Sequence, residues 1–155
     1  MAIYSHTRLS TFENCPRQYF YQYIAKIPVE KEEGIETFLG SLVHESLEKL
    51  YRDVMHGRLP THDDLVAHFN SEWTKRFHKG ILIVKKEYTA ADYREVGIRS
   101  LQKYHTRHAP FDQADTLALE ERVLVSLDAN GQHRLQGYID RLAKRRDGVL
   151  EIHDY

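Results

Sequence analysis

Cysteine is nearly absent: Cys15 is the single one in 155 residues, which excludes an internal disulfide framework. An excess of charge is missing too. With 22 Lys and Arg against 23 Asp and Glu, the formal net charge is -1. No global basic field therefore points to a polyanion, and any nucleic-acid contact needs a local patch. No apolar run approaches the length of a membrane span, and the opening MAIYSHTRLS lacks the apolar core of a signal peptide. These absences make a soluble, cytoplasmic protein without a membrane partner the expectation. Internal repeats and low-complexity linkers are absent as well.

What is present is ordinary for a globular chain: 41% hydrophobic and 29% charged residues. The length suits one domain over 1–155, burying roughly two-thirds of its unfolded surface. Most of the ten histidines stand among polar neighbours and read as solvated surface.

The first two-thirds of the chain carry helical periodicity. Cys15-Pro16-Arg17 opens a helix, because proline fits the first turn. Its apolar stripe is Tyr19, Phe20, Tyr23 and Ile24, and Pro28 marks its end. A second helix is expected from about Thr37 to His56, stopped by Gly57. Phe38, Leu39, Leu42, Val43, Leu47, Leu50 and Val54 form its broad apolar face. A third starts near Thr61, with Asp63 and Asp64 at its positive end and Leu65, Val66, Phe69, Trp73 and Phe77 inward. A fourth runs from about Thr89 to Arg107, with Tyr93, Val96, Leu101 and Tyr104 inward and Pro110 beyond.

The pattern then changes to strands: Leu117 to Leu127, Arg134 to Leu142 and Val149 to Tyr155, joined by turns at Asp128–Gly131 and Arg146–Gly148. The expected fold class is α+β, with N-terminal helices followed by a three-stranded antiparallel meander. Because the chain ends inside the third expected strand, the expectation is a C-terminally incomplete fragment.

Three segments carry candidate chemistry: Gly40–His44, Gly137–Arg141 and Ile152–Tyr155. A hairpin centred on Asp147 places Asp140 directly opposite Asp154. Opposed residues share a sheet face, with Cβ atoms about 4.5–5.5 Å apart. Two carboxylates that close repel each other unless a cation lies between them, and a hard divalent ion with oxygen ligands fits. His44 lies at the margin of the apolar face of its helix, where a ligand would project toward the sheet. Taken alone, that position suits a core-boundary histidine bonded to a carbonyl better. His105-x-x-His108 reads as the basic end of a helix rather than as a metal site.

In order, CPRQYFYQY, GSLVHESLE, LEERV, GYIDRL and LEIHDY resemble the RecB-like branch of the PD-(D/E)XK nucleases. That group includes the AddAB and RecB nuclease domains and the CRISPR adaptation nucleases. The resemblance spans nearly the whole chain. It implies a restriction-endonuclease-like core and Mg²⁺- or Mn²⁺-dependent hydrolysis of DNA, in repair, recombination or related processing. His44, Asp140 and Asp154 would hold the metal, completed by the backbone carbonyl of Tyr155. A lysine after Tyr155, then a helix and strand, would follow in the family.

LEERV adds Glu120, which an Ala129-Asn130-Gly131 loop places opposite Asp140. A two-residue Asn130-Gly131 turn would place Glu121 there instead, and Glu120 is preferred as a supporting or second-metal carboxylate. Arg17, Arg141 and Lys144 are candidate phosphate contacts. Cys15 matches a family position that joins three later cysteines around a [4Fe–4S] cluster in the full-length parent; one thiolate cannot hold such a cluster. A helicase or another nuclease-complex subunit is the implied partner besides DNA. The alternative is a catalytically inactive DNA-binding or assembly module on the same fold.

Overall fold

In the computed structural model, which describes residues 2–29 and 32–155, a short strand precedes the helices. The elements are β1 (Ala2–Ser5), α1 (His6–Asn14), α2 (Pro16–Tyr19), a π-helical turn (Phe20–Ile24), α3 (Ile35–Met55), α4 (His62–Arg76), α5 (Ala90–His108), β2 (Ala114–Ser126), β3 (His133–Arg145) and β4 (Leu150–His153). The α+β expectation stands. The antiparallel meander is corrected: the sheet has 4 strands and is mixed, because β1 pairs parallel with β3, Ala2 facing His133 and Ser5 facing Gln136. The sheet order is β1-β3-β2, and β4 pairs antiparallel with β3. Among the described residues, no helix is long and apolar enough to cross a membrane.

The chain divides into two compact units, Met1–Lys31 with Glu120–Ile139, and Glu32–Leu119 with Asp140–Tyr155. In the first, the Ser5 side chain caps α1 by accepting from the Arg8 N–H at 3.2 Å. Cys15 caps α2 through its sulfur, which accepts from the Gln18 N–H at 3.4 Å, and Pro16 follows as the helix's first residue. The expected single stripe splits here. Tyr19 and Tyr23 are half-buried and gather round the Arg8 guanidinium, whereas Phe20 and Ile24 are exposed. The division falls between adjacent positions: Tyr19 and Tyr23 share the side toward Arg8, and Phe20 and Ile24, in the π-helical turn, share the exposed one.

The second unit holds the core. On α3, Ile35, Phe38, Leu42, Leu47, Leu50 and Tyr51 are buried at helical spacing. Gly57, at φ 75°, takes the left-handed conformation beyond the helix end. Thr61 and Asp64 form a capping box at the start of α4, and Thr89 and Asp92 form another on α5; each satisfies amide donors that a helix start leaves free. Leu65, Phe69 and Trp73 of α4 pack with Phe38, whose ring meets Trp73 edge-on at 5.1 Å. On α5, Leu101 and Gly97 are the buried positions, whereas Val96, expected inward, is 44% exposed.

Candidate active site

The β3–β4 hairpin pairs Arg141 with His153, Leu142 with Ile152, Ala143 with Glu151 and Lys144 with Leu150. This is the register of a turn centred on Asp147. β4 ends at His153, two residues earlier than expected, so Asp154 and Tyr155 lie just past the paired strand. Strand alternation places Arg141 and Ala143 on the buried face.

Asp140 meets helix α3. Its Oδ2 lies 3.1 Å from His44 Nδ1 and accepts the Tyr155 backbone N–H at 3.0 Å. The Asp140 side chain is 13% exposed and that of His44 35%, so the pair sits at the rim of the core. The Tyr155 ring approaches His44 edge-on at 5.9 Å and Tyr104 at 5.6 Å. Burial, with neighbouring Tyr51 adding to it, pushes the Tyr155 phenol up to about 12, so it stays protonated at physiological pH.

Two of the expected ligands, His44 and Asp140, therefore come together, and it is the backbone N–H of Tyr155 that meets Asp140. Asp154 does not join them. It is exposed and lines a groove with Lys103, Arg107 and Tyr104. Among the described residues, no three of His, Cys, Asp and Glu are gathered closely enough to hold a metal ion. Glu120 lies in the first unit, at φ 50° within β2, a left-handed residue that interrupts regular strand geometry.

The expected phosphate contacts take different positions. Arg141 is 5% exposed, and its guanidinium carbon sits 3.9 Å from the centroid of the Tyr51 ring. Its Nη2 donates to His153 Nε2 at 2.9 Å, and its Nη1 reaches Thr116 Oγ1 at 3.4 Å. This arginine is part of the packed interior, not of a phosphate-facing surface. Burial, then the Arg141 cation, holds His153 below the ordinary histidine value and keeps the ring neutral as an acceptor. Lys144 is exposed on β3. Arg17, in the first unit, is exposed and donates to the Tyr21 hydroxyl at 3.2 Å.

Two features escaped the sequence reading. One is the aromatic bed under Arg141, where the Tyr51 and Tyr104 hydroxyls lie 2.8 Å apart. The other is the pair of exposed cations Lys103 and Arg107, four residues apart on α5. Their spacing was visible in the sequence; their position beside Asp154 was not.

Helices packed with a mixed sheet thus define an α+β protein that carries an imidazole–carboxylate pair where the core meets the third strand. The family profile of the PD-(D/E)XK nuclease superfamily matches residues 3–155, and the chain belongs to that superfamily. A search of curated proteins returned no significant match.

Proposed function

We propose that the chain is the metal-binding domain of a divalent-metal-dependent deoxyribonuclease, with His44 and Asp140 as the pair on which the site is built. The observation that carries this reading is the 3.1 Å approach of His44 Nδ1 to Asp140 Oδ2, between a core helix and the third strand. Imidazole nitrogen and carboxylate oxygen are donors that divalent cations accept. Asp154 is the third ligand of this reading: it follows His153, which pairs with Arg141, and one further step of the same register would set it opposite Asp140. It is exposed, so turning its side chain toward the pair disrupts no core packing. The Tyr155 carbonyl completes the set.

When bound, a divalent cation supplies Lewis acidity toward the phosphate and makes the attacking water more acidic. The chain's own groups orient and hold. The Tyr155 N–H fixes one oxygen of Asp140, and the buried Tyr155 ring fixes the segment that carries that N–H. His44 is held at its height by Leu42 and Leu47, which anchor α3 in the core on either side of it.

The RecB-like assignment, with exonucleolytic processing in repair or recombination, rests on the ordered five segments and belongs to the same proposal. The second reading is an inactive DNA-binding or assembly module. The observation favouring it is that, among the described residues, no third His, Cys, Asp or Glu stands with His44 and Asp140. Manganese titration separates the two, followed by electron paramagnetic resonance on the wild type and on His44→Ala, Asp140→Asn and Asp154→Asn. Ligand loss should weaken binding in all three variants. Unchanged manganese affinity across them, with no chelator-sensitive cleavage of DNA, would favour the inactive module.

A further inference from the structure

The groove beside the His44–Asp140 pair has a cationic wall that nothing above uses. A cavity of about 470 Å³ is lined by Val43, Ser100, Lys103, Arg107, Asp154 and Tyr155, among others. A larger cavity of about 670 Å³ shares Val43, Ser100 and Tyr155 with it and includes His44. Both run along α5 and share Tyr155; His44 lines the larger and Asp154 the smaller. Lys103 and Arg107 are exposed and, among the described residues, neither enters an ion pair. Arg99, one turn earlier, is already near a carboxylate, with Glu95 at 4.0 Å.

We propose that Lys103 and Arg107 contact the phosphate backbone of DNA and lead a strand along α5 to the His44–Asp140 site. Four residues of α-helix advance about 6 Å, comparable to one nucleotide of an extended strand, so two cations at this spacing match successive phosphates. Among the described residues, the groove has no other unpaired Lys or Arg on its α5 wall, and a phosphate there stands next to Asp154 and Tyr155. Charge also decides the occupant. Asp154 and its neighbours repel an anionic strand until cations beside them offset that field. The net charge of -1 leaves the work to a local patch.

The inference rests on the nuclease reading, and its test separates the two. Fluorescence anisotropy with labelled single- and double-stranded DNA, in EDTA and across a salt series, reads backbone contacts without metal or cleavage. The double variant Lys103→Gln/Arg107→Gln should bind more weakly and flatten the log–log salt slope by about 1.4 on single strands or about 1.8 on duplex. Arg52→Gln, which removes an exposed cation already paired with Glu48 on α3, should leave the slope unchanged. Bound DNA should also protect Lys103 of the wild-type protein from amine acylation, a readout that needs no variant to fold. An unaltered slope in the double variant, or full acylation of Lys103 under bound DNA, overturns the proposal. Cleavage lost in Asp140→Asn while either of those results is obtained would leave the nuclease reading standing without this subsite.

Discussion

Gly97 faces Phe69 so closely that a Cβ at position 97 would lie 2.5 Å from Phe69 Cζ and 2.7 Å from Leu39 Cδ1. The missing side chain lets α5 approach α3 and α4, and this packing fixes the α5 wall of the groove. Phe69 is 0% exposed and has nowhere to retreat. Gly97→Ala gains about 1 kcal/mol of helix propensity and loses about 1–3 kcal/mol to overpacking. The expected outcome is net destabilisation, read as a lower urea midpoint. A raised midpoint would show that the helices separate without cost.

Asp140→Asn keeps the shape of the side chain and removes its charge. The Tyr155 N–H can still donate to the amide oxygen, so folding should be nearly unaffected. Chelator-sensitive DNA cleavage should fall by a factor of about 10²–10³ or more, as for loss of a preorganised charged group. Rates measured with saturating Mg²⁺ and Mn²⁺ check this. Equal rates in variant and wild type would move the active site elsewhere.

Arg141→Lys tests what the burial of Arg141 implies. A lysine cannot lie flat on the Tyr51 ring and reach His153 and Thr116 together. The loss of that stacking should cost about 1–2 kcal/mol in urea unfolding. DNA affinity in EDTA should be unchanged, because the guanidinium faces the interior. A selective loss of DNA affinity with stability intact would return Arg141 to the phosphate role its sequence context suggested.

The contrast between Asp140 and Arg141 shows where sequence reasoning reaches its end. Turn parity around Asp147 is local, so the pairing of Arg141 with His153 could be read directly. Helix faces on α3 and α4 were legible for the same reason: a fixed angular step repeats over several turns. Which face of β3 packs on the helices is not a local property. The reading set Asp140 at a metal and Arg141 on a phosphate, whereas Arg141 and Ala143 are buried. A charged residue on a buried face reads as exposed until its bed, Tyr51 with Tyr104, is seen. β1 was missed because its partner lies some 130 positions away, Ala2 against His133, and parallel pairing leaves no turn signal. The π turn was missed because it breaks the very period by which helices are read. His44 could be placed beside Asp140 only through family resemblance, and the structure brings those two together while leaving Asp154 on the groove.

His68 and His108, together with His153, destabilise the fold in mild acid. Burial, then Lys49 for His68 and Arg107 for His108, holds both below the ordinary histidine value of 6.5. A depressed histidine binds its proton less readily folded than unfolded. Above about pH 6.5 both states carry the neutral ring, and the fold has its full stability. As pH falls from there toward the folded values, the unfolded chain takes up protons first, and stability drops. Carboxylates held low by their partners, such as Asp64 and Asp92, act only at lower pH, below the window from about 6.5 to 5. The urea midpoint should therefore decline over that window, and His68→Gln with His108→Gln should flatten the decline. A midpoint that rises as pH falls from 6.5 to 5 would mean that these rings gain a proton on folding, contrary to their half-buried, cation-flanked positions.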